Sequence, residues 1–368
     1  MAGKAAPHLI SEFCNWFQND LAMASNPSYR GKYERLLHML NWSGASVLSS
    51  KLPPRDSLLV LNYHRIGNST EELFDPGVYS ATAEQFEEQI ATLKRNVSPV
   101  TLEEALAFIE GTLKEKTPRC RVLITFDDGY LDNYETAYPI LRSYGMQGVF
   151  FLATSMVGSH HVPWWDHISY LMKTGRKRRF SLHYPADLDV DIDQDGTTMS
   201  SRAVQKLYKR PDNTDPARFI QELKEETQGE DPPATLRRFL NWDEAREMSR
   251  GGMAIGSHTH SHPVLSQLEP DGQYEELSKS RAMLQEHLGV AVDTIAYPVG
   301  GRKSFTEETK RQARKVGYRA AFSFYGGANF PGRTSQYDVH RFDIGHHSLS
   351  RLRHELPVWR FTGYVRWP

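Results

Sequence analysis

Two adjacent acids, Asp127 and Asp128, end a short apolar run, and three histidines, His258, His260 and His262, crowd one later stretch. Arg121-Val122-Leu123-Ile124 reads as a buried strand, and Thr125-Phe126-Asp127-Asp128-Gly129 stands where that strand meets a turn. Gly129 lets the backbone bend there. Two carboxylates at such a place are costly to bury unless they are paired or hold a cation. The stretch Gly256-Ser257-His258-Thr259-His260-Ser261-His262-Pro263 follows Met253-Ala254-Ile255 in the same manner, as a strand end stopped by proline. Two imidazoles from one loop and one carboxylate from another can share a divalent ion with positions left open for water. The other acid then stays free to act as a base. Each motif alone is a weak signal, because Asp-Asp-Gly also makes ordinary turns and clustered histidines also make solvated loops. Spacing does not decide which histidines would be ligands. In an extended loop His258 and His260 share a face.

Together the motifs resemble the polysaccharide deacetylase family, the NodB-homology domain of carbohydrate esterase family four. Thr-Phe-Asp-Asp-Gly and His-Thr-x-x-His carry the resemblance, and three further stretches extend it over residues 57 to 345. Leu61-Asn62-Tyr63-His64-Arg65-Ile66-Gly67 is similar to the family's opening strand, Phe150-Phe151-Leu152 to the strand after the first helix, and Ala296-Tyr297-Pro298-Val299-Gly300 to its third motif. The resemblance implies metal-dependent removal of an N-acetyl group from an N-acetylhexosamine in an oligosaccharide, polysaccharide or glycolipid. It implies Asp127 as general base. It implies Asp128, His258 and His262 as ligands of Zn2+ or another divalent transition metal, with His260 as a spectator.

This chain departs from the family pattern in ways that carry their own expectations. Where the third motif usually reads Arg-Pro-Pro-Tyr-Gly, Ala296 takes the Arg position and Val299 the Tyr position. The family's Tyr offers its backbone N–H to the oxyanion, and Val299 retains that donor. Tyr297, Pro298 and Val299 are accordingly expected at the substrate. The missing Arg ordinarily orients the catalytic Asp. Arg341, in Val339-His340-Arg341-Phe342, is expected to replace it from a late strand, against the commoner fate of an arginine at the surface. The general acid is left open among His340, His346, His347 and none. His64, which follows a strand expected beside the one carrying Asp127, lines the same mouth or is a satisfied core histidine. Trp165 and Asp166, in Val162-Pro163-Trp164-Trp165-Asp166-His167, are expected to contact sugar, while at least one of Trp164 and Trp165 packs in a local core.

The surrounding elements must bring these loops together. The 368 residues are 39% hydrophobic, enough for one large α/β domain with additions. Strands at 58–61, 122–126, 149–152, 294–297, 318–322 and 339–344 alternate with helices that bury Phe86, Ile90, Leu93 and Val97, then Leu277, Leu284 and Leu288. Alternation favours a parallel sheet. An open doubly wound sheet fits this pattern as well as a barrel does. The resemblance selects a distorted, incomplete (β/α) barrel of the polysaccharide deacetylase type. A helical extension is expected over 1–56, a polar and irregular insertion at about 160–240 with at least one helix near Phe219 to Glu226, and a tail over 346–368.

Net charge is -1, which gives no general argument for nucleic acid or an anionic membrane as partner. Cys14 and Cys120 make no disulfide framework. Glu12, Asn15, Gln18 and Asp20 interrupt the apolar residues near the N-terminus, and no apolar run is long enough to span a membrane. A cytoplasmic location, or a peripheral one at the inner membrane surface, is therefore expected; the sequence does not indicate an oligomeric state. An amidohydrolase of another C–N bond and a non-catalytic carbohydrate-binding barrel are the competing readings.

Overall fold

In a computed structural model of the protein, residues 56–69, 73–114, 120–160, 162–233 and 237–344 are described. The expected N-terminal extension apart from Asp56, the expected tail, and His346 and His347 lie outside them. Eight strands form the main sheet: β1 (Leu58–Tyr63), β2 (Ser98–Pro99), β3 (Arg121–Phe126), β4 (Gly148–Leu152), β5 (Ala254–Ser257), β6 (Thr294–Ala296), β7 (Ala320–Phe322) and β8 (Phe342–Asp343). Their order is β7-β6-β5-β4-β3-β1-β8, with β2 paired to the first residues of β3. Every pairing is parallel. Leu-Leu-Val-Leu-Asn-Tyr and Arg-Val-Leu-Ile-Thr-Phe are buried throughout, as strands covered on both faces must be.

The sheet curls until its ends meet. A parallel bridge between Phe322 and Val339 ties the β7 edge to the segment that enters β8, and β8 pairs with β1. This closure decides for the distorted barrel over the open sheet. Side chains alternate across it with the strand's period of two. Leu59, Leu61, Tyr63, Val122, Ile124 and Phe126 pack outward on Phe86, Ile90 and Leu93 of the helix Ala83–Asn96. Leu58, Val60, Leu123, Val149, Phe151 and Phe322 form a second cluster with the helix Leu102–Ile109. Continuing that inner face by two residues gives Asn62, Thr125 and Asp127. The barrel is therefore apolar at the amino ends of its strands and polar at the carboxyl ends, where barrel enzymes carry their chemistry.

The inserted segment contains the helix expected near 219–226, here Pro216–Thr227, and is otherwise more regular than expected. Helices Trp164–Thr174, Thr197–Tyr208 and Pro216–Thr227 pack with an antiparallel pair, Arg179–Leu182 and Leu188–Asp191. Ile168, Leu171, Phe180, Leu182, Val190, Val204, Leu207, Phe219 and Leu223 form its core. Its apolar residues are spread thinly among charges, so the composition looks polar until the three helices bring one face of each together.

Candidate active site and metal centre

The register Tyr63↔Phe126 sets the ends of β1 and β3 side by side, so His64 and Asp127 emerge together. The β4–β5 register then brings the His loop to the same rim: His258 N–H donates to Leu152 O at 2.9 Å, Thr154 N–H to Thr259 O at 3.2 Å, and Ser155 N–H to His260 O at 2.9 Å. Glu276 fastens the loop from outside by accepting from the backbones of His260 and Ser261 at 2.9 and 2.8 Å and from Ser261 Oγ at 2.6 Å.

Backbone conformation at the rim is unusual. Asp128, Thr259, His262 and Val299 have φ of 74°, 66°, 60° and 62°, four of the five non-glycine residues with positive φ among those described. Left-handed backbone costs about 1–3 kcal/mol at such residues and persists where surrounding contacts enforce it. Gly129, at φ 81°, is required by space as well: a Cβ there would lie 2.8 Å from Leu152 Cδ2.

These turns decide which histidines face Asp128, which spacing left open. Positive φ at Thr259 breaks the extended repeat, so His260 turns away and its Nδ1 meets Thr154 Oγ1 at 2.9 Å. His258 Nε2 and His262 Nε2 both lie 3.4 Å from Asp128 Oδ1. One ligand atom from each of Asp128, His258 and His262 fits within a 4.8 Å cluster, the one such group among the described residues. His258 Nδ1 donates to Ala296 O at 2.8 Å, which leaves Nε2 as the lone-pair nitrogen facing Asp128. Asp128 Oδ1 is buried and completes no hydrogen bond. A buried, unsatisfied carboxylate oxygen between two imidazole nitrogens fits a divalent cation, and the N2O donor set suits zinc.

The electrostatics agree with that reading. Burial drives the His262 imidazole down to about 4, with Asp128 offsetting only part of the effect, so this ring is neutral as a ligand must be. Burial also opposes charge on His258, but Asp127 and Asp128 outweigh it and raise the imidazole above its ordinary value. A cation held at His258 Nε2 and Asp128 would take the place of a proton on that nitrogen.

Asp127 stands apart from that three-residue cluster. Arg341 donates to Asp127 Oδ1 at 2.7 Å and to Oδ2 at 2.9 Å, a bidentate pair wholly inside the barrel. Asn62 Nδ2 is the second donor to Oδ2, at 3.0 Å, while its Oδ1 accepts from Arg341 at 2.7 Å and from Thr125 Oγ1 at 2.7 Å. Burial would raise the Asp127 carboxyl, but Arg341, His258 and His64 hold it well below the usual range. Asp127 is therefore a charged, oriented carboxylate at neutral pH. Oδ2 is 4.0 Å from His64 Nε2 and 4.0 Å from His258 Nε2, so this oxygen looks toward the rim.

Other expected residues are placed differently. His64 is 25% exposed at its side chain and belongs to the mouth rather than the core. Among the described histidines, only His64 and His258 bring a ring nitrogen within 4.0 Å of an Asp127 oxygen. His340 packs on Tyr325 instead, ring centroids 5.0 Å apart. Asp166 is corrected from a substrate contact to a structural acid: it is 0% exposed, accepts from Asp75 N–H at 3.0 Å, and pairs with Arg238 at 2.7 Å. Trp165, 6% exposed, is no open stacking platform; its indole N–H donates to Tyr130 Oη at 2.7 Å and its ring lies against His262. Trp164 stacks on Tyr208. Tyr297 and Pro298 are buried, and the Tyr297 hydroxyl is engaged within the fold, donating to Tyr337 O at 3.2 Å. Val299, 36% exposed, remains at the rim. Sequence reasoning missed Asn62 and the Ala296 carbonyl. The alternation of β1 with β3 was the available signal for the first; nothing in the sequence marks the second.

Comparison with known proteins places these features in context. The family model described as polysaccharide deacetylase matches residues 114–321. The Bacillus subtilis (strain 168) protein YxkH is 26% identical over 299 residues, 80% of this chain and 71% of that protein. Poly-beta-1,6-N-acetyl-D-glucosamine N-deacetylase of Staphylococcus aureus (strain MSSA476) is 35% identical over 127 residues, 31% of this chain and 42% of that protein, so this chain spans less than half of its length. The structure of IcaB from Ammonifex degensii superposes with a TM-score of 0.53 at 22% identity, covering 84% of this chain and 99% of that one, a likeness of fold.

Proposed function

The chain belongs to the polysaccharide deacetylase family, whose members hydrolyse carbon–nitrogen bonds, and from that premise we propose that it removes the acetyl group from an N-acetylhexosamine unit of a glycan with the help of a divalent metal ion. The staphylococcal relatives act, by name, on poly-β-1,6-N-acetyl-D-glucosamine, and a polymer of that class is the proposed substrate. The observation that carries the reading is one rim holding two differently prepared acids: Asp128, unsatisfied between two imidazoles, and Asp127, clamped by Arg341 and left out of the ligand cluster.

Asp128, His258 and His262 hold the cation in this reading. When bound, it supplies a Lewis acid that polarises an amide carbonyl and makes water more acidic. Asp127 takes the proton of the attacking water on Oδ2, the oxygen that faces the rim; a positioned base of this kind contributes about 10²–10⁴ in rate. Arg341 and Asn62 keep Asp127 ionised and stop its rotation. The Val299 backbone N–H stabilises the negative charge that develops on the former carbonyl oxygen, a role that needs no particular side chain. Amine departure requires a proton, because an amide anion is a very poor leaving group. His64 delivers it from Nε2: it is partly exposed, at the mouth, and 4.0 Å from the carboxylate that has just received one. The protons taken and given therefore move across one short face of the site.

Acetate release from β-1,6-linked N-acetylglucosamine oligomers, with and without chelator, tests the reading. Release that stops on chelation and returns with zinc supports it. Activity confined to small amides assigns a different C–N substrate, and binding without any product makes the barrel a carbohydrate-binding module.

A further inference from the structure

His258 and His262 are held by different physical means. His258 is oriented by its Nδ1 hydrogen bond to Ala296 O at 2.8 Å. His262 Nδ1 is buried and finds no hydrogen-bond partner in a neighbouring residue. A metal-ligating imidazole nearly always has such a partner, which fixes the ring and its tautomer. What fixes His262 is packing. Trp165 lies edge-on to it, ring centroids 4.7 Å apart and planes 60° apart, and the His258 ring packs against it as well, at 4.8 Å.

Trp165 is itself tightly placed. Its indole N–H donates to Tyr130 Oη at 2.7 Å, and Tyr130 donates on to Asp166 Oδ2 at 3.3 Å. Asp166 pairs with Arg238 at 2.7 Å, and the Arg238 guanidinium sits 3.5 Å over the Phe74 ring. Trp164 packs edge-to-face with Trp165, ring centroids 5.3 Å apart. Resting on the reading that Asp128, His258 and His262 hold a divalent cation, we propose that Trp165 is the positioning residue for His262, so that the layer inserted between β4 and β5 sets the affinity of the metal centre. The aromatic wall does for His262 what the Ala296 carbonyl does for His258. A free imidazole loses rotamer entropy when it joins a cation, and a ring already held in place has lost it beforehand.

Zinc affinity of the full chain, measured by chelator competition without substrate, tests this. Trp165→Ala is expected to weaken zinc binding about 10–100-fold, the usual effect of removing a ligand's orienting partner. Trp165→Phe keeps an aromatic edge against His262 and is expected to recover most of that loss. Trp165→Leu fills the volume with apolar bulk, and secures the comparison if truncation to alanine prevents folding; it should also bind zinc at least about tenfold more weakly. Parental affinity in a folded Trp165→Ala or Trp165→Leu protein overturns the proposal. An unaltered protein that takes up no zinc overturns the three-ligand reading first, and the proposal falls with it.

Discussion

Arg341 grips both oxygens of Asp127, at 2.7 and 2.9 Å, from the segment that closes the barrel. The stretch Ala296-Tyr297-Pro298-Val299-Gly300 carries no arginine, and the guanidinium beside Asp127 comes from the segment that enters β8. Arg341 also donates to Ser323 O at 3.1 Å, which ties the clamp to the end of β7. One side chain therefore both holds the candidate base and links the two edges of the barrel.

Arg341→Ala leaves a buried carboxylate without its partner. Breaking such a pair costs about 3–5 kcal/mol of stability. The kcat of the folded fraction should fall about a hundredfold or more, as expected for an impaired base, while the bound metal is kept. Steady-state kinetics beside denaturant unfolding and metal analysis check both parts. An unchanged kcat rejects the orienting role.

Asn62 bridges Arg341 and Asp127 through opposite ends of one amide. Asn62→Leu preserves bulk and removes both bonds. A hydrogen bond to a charged group is worth about 1.5–3 kcal/mol, so kcat should fall about tenfold or more, with KM little changed. A loss confined to KM would place Asn62 at the substrate instead.

His64 and His340 make opposite predictions. His64→Ala should lower the rate on an N-acetylated glycan about a hundredfold yet spare an activated aryl acetate, whose leaving group needs no proton. His340→Ala should leave the rate on both substrates near its starting value. The reverse pattern would move the acid to His340.

The pH dependence of the metal-free protein follows from His262. Burial holds its folded value near 4, below the ordinary 6.5, so the unfolded chain binds the extra proton first as pH falls. Stability is therefore lost on acidification between about pH 6.5 and pH 4, by at most about 3 kcal/mol from this group. His258, with its raised value, works in the opposite sense. Comparison with His262→Gln isolates the first contribution: unfolding in chelator at pH 7 and pH 4.5 should show the parent losing stability relative to the variant. Parallel behaviour of the two proteins would show that His262 titrates normally.

Sequence carried the strand ends and their acids because parallel strands leave a plain signature, a buried apolar run ending in a turn. It marked Asp127 and Asp128 as site candidates for that reason, Arg341 only as a replacement for the arginine that the resembled family's third motif carries and this one lacks, and His64 through the expected pairing of β1 with β3. It did not choose between His260 and His262 from spacing, because that choice depends on left-handed backbone at Thr259 and His262. No residue type reveals such φ values at a threonine and a histidine. Trp165 and Asp166 were misjudged for a different reason. Aromatic and acidic residues in a polar stretch look like a sugar platform until Tyr130 and Arg238 arrive from distant positions and consume their polar atoms.

The account rests on Asp128, His258 and His262 holding a cation beside an Asp127 that does not bind it. Metal bound per chain, measured after zinc loading for the parent, Asp127→Asn and His258→Ala, tests that division most directly. One zinc in the parent, one in an inactive Asp127→Asn and none in His258→Ala is the predicted result. Zinc lost on Asp127→Asn, or kept at full affinity by His258→Ala, would contradict it.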